Sequence, residues 1–266
     1  MRVYARAVRF FRLRALKLRV SYDRIFQGTG LYEYRQLSDD ESLDFLLKNR
    51  NIGIVRFGNS ELTYAAGGLK DNQKQNASLR RKLVHILKAH HEMKSYAVGL
   101  PLDATIMSHA SSRKVTQSIW KGTPKDVVQL YAKKDYVYLS PFLFRLRDVV
   151  TADMQQYINK LRALFADRDI IYVGPKSGRN SDIWDGIQPK RIIYVPESNA
   201  YDLFDQIKEE VKQEAIQFDC PLVLIVAGIT ATALSAELNE FGLPTYDLGQ
   251  LSRHEKSVSG SAANSS

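Results

Sequence analysis

The 266-residue sequence predicts an α/β fold, a Rossmann-like and mostly parallel sheet with helices on both faces. Two observations carry this. In the C-terminal half, short apolar segments alternate with longer amphipathic ones, the order expected of repeated strand–helix units. Segments such as Ile170 to Val173 and Leu222 to Ala227 are continuous apolar runs. A strand reads that way when both of its faces are buried, as in a parallel sheet.

The elements follow in order. Ser38, Asp39, Asp40 and Glu41 form a capping-box pattern ahead of Leu43, Leu46 and Leu47, which predicts a helix to about Arg50. A strand from Ile52 to Phe57 follows, then a turn at Gly58, a helix across Asn76 to His91 and a short strand from Tyr96 to Gly99. The middle is mostly helical, near Ala104 to Trp120, Pro124 to Lys133 and Ala152 to Phe165, with a strand from Tyr136 to Leu139. Strands Ile170 to Val173, Ile192 to Val195, Leu222 to Ala227 and Thr245 to Leu248 then alternate with helices from Tyr201 to about Ile216 and from Ala231 to Phe241.

Composition narrows the class. With 44% hydrophobic and 25% charged residues the chain is neither disordered, collagenous nor a polytopic membrane protein. Its single cysteine, Cys220, excludes an intramolecular disulfide framework and reads as a core residue before Pro221. The net charge of +9 is concentrated at one end, because residues 1–24 hold eight Arg and Lys against Asp23 alone. Tyr4, Val8, Phe11, Ala15 and Leu18 share one helical face there, so residues 1–26 read as a basic amphipathic helix. Such a helix suits an anionic membrane surface or docking on another protein, and arginines interrupt every apolar run, so it is neither a signal peptide nor a membrane span. The expected location is cytoplasmic, peripheral at the inner face of the cell membrane. The serine-rich segment 257–266 reads as a disordered tail. The nearly neutral body and the absence of a nucleic-acid motif argue against nucleic acid as a partner.

In open parallel sheets ligands bind beyond the carboxyl ends of the strands. Five loops there are polar. Arg56-Phe57-Gly58-Asn59-Ser60-Glu61 offers Asn59 and Glu61 as oxygen ligands for Mg²⁺ or Mn²⁺ and Arg56 as a phosphate partner, although a Glu at this spacing also simply caps a helix. Gly174 to Asp182 carries Lys176, Arg179 and a second carboxylate, Asp182. Asn199 precedes a helix, where it either caps or reads a nucleoside. Gly228 and Thr230 begin a helix after a buried strand, a geometry that turns free N–H groups toward an anion. Asp247 and His254 follow the last strand, within reach of acid–base chemistry. His85, His90 and His91 lie on or beside a lysine-rich helix and read as solvated.

In order and spacing, Arg56-Phe57-Gly58-Asn59-Ser60-Glu61, Val173 to Asp182, Val195-Pro196-Glu197-Ser198-Asn199-Ala200, Val226 to Leu234 and Tyr246 to Gln250 resemble the GT-D-type bacterial glycosyltransferases, over residues 38–255. Known members extend glycans on serine-rich adhesins or serve surface-polysaccharide assembly. The resemblance implies transfer from a nucleotide-sugar, a UDP-sugar, to a glycan or glycoprotein, with Mn²⁺ or Mg²⁺ bridging the diphosphate. It makes Glu61, Asp247 and His254 the catalytic candidates. Arg56, Gly58, Lys176, Arg179, Asn199, Gly228 and Thr230 would hold the donor, and Asn59, Glu61 and Asp182 the metal. The family motif is Arg-Phe/Tyr-Gly-Asp-Gly-Glu, and here Asn59 replaces its Asp; Gln250 replaces a histidine of the last motif. These departures leave three outcomes open: a metal kept through Glu61 and Asp182, catalysis with cationic side chains alone, or an impaired subunit that partners an active glycosyltransferase. Deleting residues 1–24 is expected to abolish sedimentation with anionic liposomes while nucleotide binding persists; undiminished liposome binding removes the membrane assignment.

Overall fold

The computed structural model describes residues 35–69, 72–101, 125–146, 149–176 and 188–249. The amphipathic segment 1–26, the predicted helix near 104–120 and the tail 257–266 lie outside them. Strand β1 (Arg35–Gln36) leads to helix α1 (Asp39–Lys48), which opens on the expected capping box: Ser38 Oγ accepts from the Glu41 N–H, and Glu41 returns a carboxylate oxygen to the Ser38 N–H. Then come β2 (Gly53–Arg56), α2 (Asn59–Ala65), α3 (Ala77–Ala89) and β3 (Tyr96–Gly99). The chain continues through α4 (Lys125–Tyr131), β4 (Val137–Tyr138), α5 (Met154–Phe165), β5 (Asp169–Gly174) and β6 (Arg191–Tyr194). It ends in α6 (Phe204–Ala215), β7 (Pro221–Ile225), α7 (Ile229–Glu240) and β8 (Thr245–Asp247). Helix α7 starts two residues earlier than its apolar pattern suggests, so Thr230 lies inside the helix, and a 3₁₀ turn (Ala200–Leu203) precedes α6.

Six parallel strands form the central sheet in the order β3-β2-β8-β7-β5-β6. Alternate residues of each strand enter opposite cores. Val55, Val98, Ile171, Val173, Val223 and Ile225 pack with α3, α6 and α7, whereas Ile54, Ala97, Tyr172, Leu222, Leu224 and Tyr246 pack with α1 and α5. Each fully buried Leu, Ile or Phe in these layers contributes roughly 1.5–3 kcal/mol, and Tyr157 keeps its hydroxyl satisfied at the Leu143 carbonyl, 2.7 Å away.

The strand order has a functional consequence. From β2 the chain moves outward to β3, crosses to β5 and β6, and returns through β7 to insert β8 beside β2. The carboxyl ends of β2 and β8, remote in sequence, are therefore neighbours at the edge of the sheet where ligands of such folds bind. Strand β4 pairs with β1, and Leu139 bridges to Gly99 beyond β3, which delivers Pro141 to the same edge.

Two expectations fail. Cys220 is exposed at the start of β7, because the apolar run begins only after it. His90 is not solvated: α3 ends at Ala89, and the following 3₁₀ turn swings the imidazole inward to 1% exposure. Its Nδ1 lies 2.9 Å from the Leu87 carbonyl, so Nδ1 carries the hydrogen; Nε2 then accepts from the Tyr138 hydroxyl at 2.8 Å. Tyr138 in turn accepts from the Lys133 N–H. Burial pushes the His90 pKa down to about 4. An unfolded histidine titrates near 6.5, so the unfolded chain binds the extra proton and stability falls as pH drops from about 6.5 towards 4. Denaturant titrations between pH 7 and 4 are expected to show a loss of about 3 kcal/mol in the wild type that is absent from His90→Phe.

Candidate active site

Arg56 ends β2 with 7% of its surface exposed. Its Nη1 donates to the Pro141 carbonyl at 3.1 Å, while Nε is buried without a hydrogen-bond partner among the described residues and faces Asp247 Oδ1 at 4.0 Å. Asp247, at the end of β8, is 2% exposed and has both carboxyl oxygens engaged. Oδ1 accepts from the Gly249 N–H at 3.0 Å, and Oδ2 lies 3.0 Å from the Thr232 hydroxyl. That hydroxyl is also 3.0 Å from the Arg56 carbonyl oxygen. Burial raises the Asp247 pKa to about 6; the Arg56 charge pulls it down and Glu61 pushes it up again.

Gly249 allows this approach. It sits at φ +67°, and a Cβ there would lie 1.6 Å from Arg56 Nη2. Glu61, 7% exposed in the first turn of α2, accepts the Gly58 N–H at 2.8 Å, so one of its oxygens performs the capping role. Asn59 Oδ1 accepts from the Thr63 hydroxyl at 3.0 Å, one helical turn on. Arg56, Gly58, Asn59, Glu61 and Asp247 therefore share one edge.

Asn199, Gly228 and Thr230 form a second group, joined by a segment without any motif. Asn199 adopts the left-handed conformation at φ 57°, donates its N–H to the Asn72 carbonyl at 2.9 Å and accepts the Lys74 N–H on Oδ1 at 2.7 Å. The buried Thr230 hydroxyl donates to Gln73 Oε1 at 3.3 Å. At Gly228, φ +56°, the Asn72 amide stands 2.7 Å from where a Cβ would be. Residues 72–74 thus cross the beginning of α7 and occupy Asn199 and Thr230 with protein partners. Lys176 follows β5 and is exposed. Arg179, Asp182, Gln250 and His254 lie outside the described residues.

The metal expectation was tested on the donors present. Among the described residues no group of three His, Cys, Asp or Glu could hold an ion. Asn59 and Glu61 already accept hydrogen bonds, and Arg56 stands on one side of Asp247. The described donors alone do not fit a divalent cation.

Sequence reading missed Thr232, Gln73 and Pro141. Thr232 belongs to the polar strand-to-helix join after Ala227, so a hydroxyl four residues past Gly228 was a usable signal; Gln73 and Pro141 carry none.

Fold and site together define a doubly wound α/β protein that gathers Arg56, Glu61 and Asp247 at one carboxyl edge, where its last strand returns beside an early one. The chain belongs to the family described as glycosyltransferase GT-D fold, which matches residues 54–256. It is 29% identical over 225 residues to a Streptococcus gordonii protein described as a probable glycosyl transferase. That match covers 81% of this chain and 32% of the relative, so the chain spans about a third of the relative's length. Among solved structures it is similar to a glycosyltransferase (DUF1792) from Streptococcus sanguinis, with TM-score 0.68, 25% identity and 88% of each chain covered. It also shares the fold of a structure of the domain of unknown function 1792, described as having a distinct glycosyltransferase fold, at TM-score 0.73 and 23% identity over 95% of this chain and 86% of the other.

Substituting Gly249→Ala is expected to weaken nucleotide binding at least about tenfold, because the new methyl group displaces the Arg56 guanidinium and adds strain at positive φ. Calorimetry with UDP on wild type and variant checks this.

Proposed function

We propose that the chain transfers a sugar from a UDP-sugar to a glycan or glycoprotein acceptor in bacterial surface-polysaccharide or adhesin glycosylation. The observation that carries this reading is the buried Arg56 guanidinium at the carboxyl end of β2, whose Nε has no hydrogen-bond partner among the described residues. A guanidinium in a poorly solvated setting attracts a diphosphate far more strongly than one in water, and its charge stabilises the nucleoside diphosphate as it leaves. Lys176 and Arg179, which follow β5 in the sequence, supply further positive charge.

Glu61 and Asp247 are the carboxylates of the reaction. In an inverting displacement one of them accepts the proton of the acceptor hydroxyl, and the Asp247 pKa near 6 suits that role at neutral pH. His254 is the third acid–base candidate. A Mn²⁺ or Mg²⁺ ion requires Asp182 to join Glu61 and Asn59, and it would supply charge to the diphosphate. Asn199 and Gly228 act through the 72–74 segment that closes over the start of α7. No helix among the described residues is long and apolar enough to cross a membrane, and attachment to the inner membrane face is assigned to residues 1–24.

Turnover assays with a panel of UDP-sugars test the proposal, with and without Mn²⁺ and after chelation. Hydrolysis or transfer is expected for at least one donor, with a loss of about a hundredfold or more in kcat/KM for Arg56→Ala. The kcat/KM is expected to fall on the acid side of about pH 6, where Asp247 takes up a proton, and Asp247→Asn is expected to lack this limb. Neither binding nor turnover of any donor overturns the proposal and favours a subunit that partners an active enzyme.

A further inference from the structure

Asp247 stands 4.0 Å from Arg56 Nε, yet the two make no hydrogen bond. In an interior this dry, a carboxylate and a guanidinium so close are strongly attracted and would ordinarily close into a bidentate pair. Something holds them apart. Oδ1 is held by the Gly249 N–H and Oδ2 by the Thr232 hydroxyl, each at 3.0 Å. The Thr232 hydroxyl also lies 3.0 Å from the Arg56 carbonyl, so its single hydrogen is shared between two acceptors, one at the end of β2 and one at the end of β8.

An ordinary helical threonine bonds back to the carbonyl four residues earlier in its own helix. Thr232 instead turns its hydroxyl across to acceptors on two strands, from a position with no exposed surface, where water cannot replace it. Arg56, Glu61, Thr232 and Gly249 are the groups that act on Asp247, and Thr232 is the one among them whose side-chain hydroxyl lies within hydrogen-bond distance of both Asp247 and the Arg56 backbone.

We propose that Thr232 is a positioning residue for donor binding: its buried hydroxyl holds the Asp247 carboxylate short of Arg56 and so keeps the guanidinium available to a diphosphate. Without the hydroxyl, Asp247 Oδ2 loses its partner, the carboxylate is free to pivot on the Gly249 N–H, and Oδ1, which already faces Nε at 4.0 Å, closes on Arg56, so the site neutralises itself. This rests on the reading that Arg56 takes the donor phosphates. It does not depend on which sugar is transferred or on transfer occurring.

The experiment is calorimetry at pH 8, where Asp247 is ionised, with inorganic diphosphate and with UDP plus Mg²⁺, on the full chain. Thr232→Val is expected to bind both ligands about tenfold more weakly, equivalent to one hydrogen-bond interaction, while its thermal midpoint holds or rises because an ion pair has formed. Thr232→Ser is expected to recover binding to within about twofold, and in an Asp247→Asn background Thr232→Val is expected to change affinity by less than about twofold. If Thr232→Val does not melt cooperatively, Thr232→Ala serves in its place. Undiminished binding by Thr232→Val, equal losses for Val and Ser, or an undiminished Thr232→Val effect in the Asp247→Asn background overturns the proposal. So does a wild type that binds neither ligand. A wild type that binds diphosphate and shows this pattern but turns over no nucleotide-sugar overturns glycosyl transfer and leaves the role of Thr232 standing.

Discussion

The guanidinium of Arg56 has left bulk water, and a charge so placed must be met by oxygen atoms of the protein or of a ligand. Much of the surrounding structure answers that demand. Pro141 brings a carbonyl from beyond the β3 edge, Asp247 brings a carboxylate from β8, and Gly249 leaves room for the head group. The answer is incomplete, because Nε has no partner among the described residues. A buried donor left this way costs roughly 1–3 kcal/mol, an expense that proteins tolerate most readily where a ligand will complete the bond.

Charge at this carboxyl edge is balanced more evenly than the overall composition suggests. The +9 of the whole chain sits mainly in its first 24 residues, whereas the described edge combines Arg56 with Asp247 and Glu61. A dianionic ligand arriving there meets one concentrated cation flanked by acids. That arrangement favours recognition by geometry over general attraction to polyanions.

The layer architecture was legible because parallel strands buried on both faces leave continuous apolar runs, and both Ile170 to Val173 and Leu222 to Ala227 became central strands. Arg56, Glu61 and Asp247 were legible for a related reason: Arg56 and Asp247 end strands and Glu61 lies in the first helical turn after one, where chemistry collects. What escaped depends on contacts between distant segments. No local pattern shows that Gln73 meets Thr230, or that Pro141 reaches Arg56. His90 was misjudged because its lysine-rich neighbours point to water, while the end of α3 one residue earlier turns it into the core beside Tyr136 and Tyr138. Cys220 was misjudged by a single residue at the boundary of β7.

The insertion of β8 between β2 and β7 also bears on how the molecule comes into being. Arg56 emerges from the ribosome about 190 residues ahead of Asp247, a delay of roughly ten to forty seconds at ordinary translation speeds. Until then β2 has β3 on one side and an open edge on the other, with an uncompensated arginine at its tip. Pairing between segments so far apart in sequence is slow, so the nascent chain passes a long interval with one edge of β2 unprotected. Closure of the sheet and the meeting of Arg56 with Asp247 are one event, and a chain that stops short of residue 245 can have neither.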